Sequence, residues 1–156
     1  MHVDYLIKKV SKRFLCIRYL VNAGVRDVDI VEIYCSIIRS VLEYACPVWH
    51  PGLTVKLSKD IERVQKRCLK MIYRTLTYEE ALTKAGIIRL DARREQITKL
   101  TFEQMKDENH ILHYMLPYRL DGTQREIRNQ YPFTIPISKN TRYGRDLVPY
   151  CIGKRY

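Results

Sequence analysis

Long apolar runs are missing from this 156-residue chain. None approaches the ~18 residues that cross a bilayer, and Met1-His2-Val3-Asp4 does not open the basic head and apolar core of a secretory leader. A nuclear or cytoplasmic protein with no membrane partner is therefore expected. Glycine is scarce, and the six present are isolated, so no Gly-rich loop is available to cradle a phosphate. No Asp-Asp pair exists to hold two metal ions for phosphoryl transfer. Neither Gly-x-Ser-x-Gly nor His-Glu-x-x-His occurs. The expectation is a chain that is not an enzyme by itself and carries no cofactor.

Cysteine is present but unpatterned. Cys16, Cys35, Cys46, Cys68 and Cys151 are odd in number and contain no Cys-x-x-Cys. Free, mostly buried thiols in a reducing compartment are expected. Cys46 with His50, and His110 with His113, are the closest pairs of soft ligands, and neither completes a four-ligand zinc set. Negative charge is the other shortage. Seventeen Asp and Glu stand against 28 Lys and Arg, for a net charge of +11 and a pI near 9.5. That balance points to a polyanionic partner or an acidic membrane surface and says nothing about fold. A hydrophobic content of 46% supplies a core and argues against wholesale disorder.

The residues that are there read as an all-α body of about five helices over residues 1–116, followed by an extended tail, 117–156, rich in proline and aromatics. From Asp4 to Ala23, Leu6, Val10, Phe14, Ile17 and Val21 recur at steps of three and four, with Gly24 as the stop. Asp27 or Asp29 caps a second helix carrying Ile30, Ile33, Ile37, Val41 and Leu42, which Pro47 is expected to end. It is apolar on more than one side, so it is expected to be central. Thr54 caps a third helix running to about Tyr73. Thr77-Tyr78-Glu79-Glu80 is a capping box for a short fourth that stops at Gly86. Asp91 caps a fifth, to about Asp107, and Asn109 to Met115 adds a turn or two.

After Leu116 the composition shifts. The last 40 residues hold four prolines, six aromatics and a charge of +5, against +6 for the first 116. Phe133, Ile135 and Ile137 alternate like a short strand that Pro136 would confine to an edge. Arg119, Arg125, Arg128, Arg142 and Arg145 interleave with Tyr118, Tyr131, Phe133, Tyr143 and Tyr150. Such a mixture serves base stacking on single strands or docking of the tail through ring faces, and docking is the favoured reading.

The third helix carries the sharpest functional pattern. At 100° per residue Lys56, Lys59, Arg63, Lys66, Arg67, Lys70 and Arg74 fall within an arc of roughly 100°. Leu57, Ile61, Val64, Cys68, Met71 and Ile72 fill the neighbouring arc, while Asp60 and Glu62 are expected to point away from the basic row. A solvated face would normally mix charge signs. Seven cations of one sign along about 27 Å suit a nucleic-acid backbone. Lys8, Lys9, Lys12, Arg13 and Arg18 on the first helix spread more widely and read as solubilising charge.

Several phrases carry a resemblance. They are Ser11-Lys12-Arg13-Phe14-Leu15-Cys16-Ile17-Arg18, then Ala23-Gly24-Val25, then Ile38-Arg39-Ser40-Val41-Leu42-Glu43-Tyr44-Ala45-Cys46-Pro47-Val48-Trp49-His50. Ile61-Glu62-Arg63-Val64-Gln65-Lys66-Arg67, Thr77-Tyr78-Glu79-Glu80-Ala81-Leu82 and the ending Leu147 to Ile152 follow. In this order they resemble the region downstream of the catalytic palm in reverse transcriptases of non-LTR retrotransposons of the jockey and CR1-like kind. The resemblance spans nearly the whole chain. It implies a thumb-like helical segment that grips RNA or an RNA–DNA template–primer through Lys12, Arg13, Arg39 and the basic row, with Tyr44 and Trp49 building core. The aromatic-x-Asp-Asp motif of the palm is not in this sequence, so a truncated, non-catalytic fragment is expected, with self-association through the face a palm would cover. The alternative is a relic or domesticated helical protein acting through protein–protein contacts.

Overall fold

A computed structural model describes residues 2–117, 133, 143–154 and 156. Among these the chain is all-helical, without a strand. It divides into two compact units, Met1–Cys46 with Leu53–Arg94, and Pro47–Gly52 with Glu95–Tyr156. The division thus falls inside a helix, not after Leu116. Among the described residues no helix is long and apolar enough to cross a membrane.

The first unit begins with α1 (His2–Ser11) and α2 (Phe14–Asn22), where one unbroken helix was expected. The apolar phase is kept, since Val3, Leu6, Val10, Phe14 and Ile17 are all buried. Two contacts accompany the break, one local and one distant. Ser11 Oγ bonds back to Ile7 O at 2.7 Å, which competes with the helix backbone, and the Arg13 guanidinium is drawn to Ile37 O. Gly24 ends α2 as expected: at φ +72° it lets Val25 N reach back to Leu20 O at 3.2 Å.

α3 (Asp27–Tyr34) runs through a π-helical turn (Cys35–Arg39) into α4 (Ser40–Glu43). Arg26, not Asp27 or Asp29, stands at its N-cap. The helix stops at Glu43, ahead of Pro47, because Tyr44 turns extended and Ala45 takes a left-handed φ of +50°. Pro47 lies in the first turn of the short α5 (Cys46–Trp49), where its missing N–H costs no hydrogen bond.

The centre of the first unit is α6 (Val55–Ile72), which packs against α1, α2, α3 and α7; the second predicted helix does not hold that place. Ile61, Val64, Gln65, Cys68, Leu69 and Ile72 are buried along one stripe. Thr54 caps it as predicted, its hydroxyl accepting from Leu57 N at 3.3 Å. The capping box of α7 (Tyr78–Ala85) also forms: Thr77 N donates to Glu80 Oε2 at 2.8 Å and Glu80 N to Thr77 Oγ1 at 3.4 Å. Gly86, at φ +64°, closes it. α8 (Leu90–Met105) starts one residue before Asp91, and its cap comes from another helix. The Glu62 carboxylate accepts from Leu90 N at 3.4 Å and Asp91 N at 3.3 Å.

The second unit adds a helix to the tail, where the sequence shows no helical period. α9 (Leu147–Lys154) buries Val148, Cys151 and Ile152, which cluster with Phe102, Met105 and Phe133. Phe102 and Phe133 meet edge-on with centroids 6.1 Å apart. Pro149 masked this helix in the sequence, yet within the first turn it breaks nothing. Phe133 and Tyr150 therefore take the docked alternative. Tyr118, Arg119, Arg125, Arg128, Tyr131, Ile135, Pro136, Ile137 and Arg142 lie outside the described residues.

Glu95 ties α9 to α8. It lies 2.7 Å from His50 Nε2 and accepts from the Tyr150 hydroxyl at 2.8 Å. Burial pushes this carboxyl up, but the bonds from His50 and Tyr150 outweigh it and hold Glu95 below its ordinary value. A depressed folded-state pKa stabilises above the unfolded value of about 4.3, and that contribution is lost as pH falls through the folded one. Amide exchange of α9 is therefore expected to speed up in that acid window. In Glu95→Gln the same amides should exchange faster at neutral pH and lack the acid step.

Candidate nucleic-acid interface

The cation row is built on the most firmly held helix of its unit. With the apolar stripe of α6 facing inward, Lys56, Lys59, Arg63, Lys66, Arg67 and Lys70 are all exposed, as is Arg74 just past the helix end. The seven differ in how they are held. Arg63 pairs with Asp60, so Asp60 lies beside the row and not away from it, as its position 20° from Arg67 on a helical wheel makes natural. The Lys66 ammonium sits 5.9 Å from the centroid of Tyr78, and the Arg67 guanidinium 4.9 Å from that of Phe14. Lys56, Lys59, Lys70 and Arg74 have no hydrogen bond or ion pair among the described residues.

Glu62, expected to point away, lines a groove with Lys59, Arg63 and Lys66, and its carboxylate is held there by contacts the sequence does not show. Besides capping α8 it accepts the hydroxyl of Tyr78, which also takes a bond from Gln65 Nε2 at 3.0 Å. Burial and the Glu62 bond raise the Tyr78 pKa well above a free phenol, so this ring stays neutral. Glu62 is thus anchored on two sides and lines the flank of the row without neutralising it.

The remaining predicted contacts fare differently. Lys12 is exposed in the turn between α1 and α2. Arg13 is half-buried and donates to the Ile37 carbonyl of the π-helical turn. Arg39 is a correction. Only 9% exposed, it bonds Glu43 through Nε at 2.6 Å and faces the interior. Burial works against its charge, but Glu43 more than offsets this and holds its pKa above the ordinary value. Tyr44, expected in the core, is 73% exposed.

Two arginines outside the predicted set join the row through the fold. Arg18 of α2 lines a small pocket of about 270 Å³ with Lys70, Arg74 and Asn22. Arg89 flanks a groove that also holds Lys59, Arg63 and Lys66, but it pairs with Asp91 at 3.1 Å. The packing of α2 on α6 places Arg18, and no local spacing in the sequence announces it.

The two buried thiols of the first unit are held in their neutral form. Burial pushes Cys68 up to about 12 and Cys46 to about 11, so both stay protonated. All five cysteines are free, with Cys16 exposed and Cys35 half-buried. Among the described residues no group of three His, Cys, Asp or Glu side chains could hold a metal ion. No family model matches the chain, and no curated protein or solved structure matches it either.

Proposed function

We infer that the exposed face of α6 binds the sugar–phosphate backbone of RNA or an RNA–DNA hybrid. The observation that carries this reading is the excess of cations in the row, where Asp60 pairs with Arg63 alone. Seven exposed cations lie on one face, and four of them have no intramolecular partner among the described residues. Leaving so many like charges adjacent costs repulsion that a polyanion relieves. Because the opposite face of α6 is packed on four helices, the row is presented without a folding cost at binding.

The resemblance of the chain to the post-palm region of non-LTR retrotransposon reverse transcriptases supports a template–primer hybrid as the polyanion. In this reading the chain contributes grip, not chemistry. The test is the salt dependence of binding to a fluorescent RNA–DNA hybrid. With four to six phosphates contacted, log K is expected to fall with log salt at a slope of about −4 to −5. A flat profile would reject the reading.

A further inference from the structure

We propose that the C-terminal half of α6 holds one unpaired nucleotide. Its base would lie in the groove between α6 and α7 and its phosphate in the pocket between α6 and α2. The inference rests on the nucleic-acid reading above and adds a preference to it: for hybrid carrying a single-stranded extension over blunt hybrid.

The groove has a volume of about 640 Å³. Leu69, Met71, Leu76 and Ala81 give it an apolar floor, while Arg63, Lys66 and Lys70 stand along one side. The neighbouring pocket is lined by Arg18, Lys70 and Arg74 together with Asn22. No carboxylate lines either space. Lys70 and Met71 line both, so the two adjoin across a single ridge of α6.

The complementary ligand is therefore an apolar body joined to an anion. Arg18, Lys70 and Arg74 have no hydrogen bond or ion pair among the described residues, so three unneutralised cations line one pocket of about 270 Å³. Guanidinium forks match phosphate oxygens two at a time. A base meets the other requirement, since both its faces are apolar, but only when it is outside a duplex stack. A strand held along Lys56, Lys59 and Arg63 runs directly onto the lip of the groove. That continuity favours a nucleotide of the same strand over a separate acidic peptide.

The test compares three ligands by anisotropy with the full chain: a blunt RNA–DNA hybrid, the same hybrid with a three-nucleotide extension, and that hybrid with abasic residues in the extension. The extended hybrid is expected to bind about tenfold more tightly than the blunt one, the scale of one stacked base, and the abasic form to fall back most of the way. Leu76→Ser should remove most of the preference and leave blunt binding unchanged, whereas Arg18→Ala, which also thins the row, should cost the extended hybrid several-fold more than the blunt one; circular dichroism confirms that both variants are folded. Equal affinity for all three ligands, with the steep salt slope intact, overturns the nucleotide site and spares the backbone reading. Absence of binding to any ligand overturns both. Tighter binding of an acidic amphipathic helical peptide than of the extended hybrid assigns the groove to a protein and overturns the proposal.

Discussion

Gln65→Ala is expected to lower the stability of the protein by about 3–4 kcal/mol, a large share of the ~5–15 kcal/mol typical of a domain. Gln65 is fully buried in the middle of α6. Its carbonyl accepts from the Tyr34 hydroxyl at 2.8 Å, and its amide donates to Ile88 O at 3.1 Å and Tyr78 Oη at 3.0 Å. One side chain thus joins α3, α6, α7 and the segment leading into α8. Truncation leaves the Tyr34 hydroxyl without its acceptor in a site that is 0% exposed. An orphaned buried group of this kind costs about 1–3 kcal/mol, and the vacated volume adds to it. Urea denaturation measures the loss. Tyr34→Phe should cost about 1–2 kcal/mol alone, and Tyr34→Phe with Gln65→Ala less than the sum by about 1 kcal/mol, because the double variant strands no hydroxyl. Strict additivity would show that the two side chains are not coupled.

Gln65 also marks the limit of what the sequence discloses. The elements whose signals are local were legible: the Thr54 cap, the Thr77–Glu80 box, and the stops at Gly24 and Gly86 all form as read. Each depends on residues within five positions of one another. The failures share the opposite property. Arg13 interrupts the first helix through a carbonyl 24 residues away. Glu62 caps a helix that begins 28 residues later. Pro47 reads as a breaker, yet it and Pro149 both sit in first turns, where only the position of the cap decides whether proline disrupts.

The same distinction sorts the candidate site. The row on α6 is visible because six cations on one helix obey one period, which Arg74 just past its end continues in the sequence. Arg39 was misplaced because its role in the resembled family says nothing of its burial here beside Glu43. Arg18 was passed over because its contribution depends on α2 lying against α6. A periodic surface survives translation from sequence to structure, whereas a pocket shared by two helices needs the packing first.

The largest expected effect on binding follows from this sorting. Reversing the four cations of the row that have no partner, with Lys56→Glu, Lys59→Glu, Lys70→Glu and Arg74→Glu together, is expected to weaken hybrid binding at moderate salt by at least about a hundredfold. The salt slope should collapse towards zero, since each lost phosphate contact removes about 0.9 from it. Stability should change little, because all four side chains are exposed and make no hydrogen bond or ion pair among the described residues. Arg39→Ala is the informative contrast. Removing one partner of a buried ion pair costs about 3–5 kcal/mol at the extreme, and the second contact of Glu43, with Arg93 at 3.6 Å, should moderate that loss. Arg39→Ala is thus expected to unfold at lower urea yet bind hybrid normally per folded molecule. If Arg39→Ala weakened binding as strongly as the fourfold reversal, with its fold intact, the cation row of α6 would not be the site of contact. Normal binding by the fourfold variant would exclude the row outright, whatever the salt profile of the native chain.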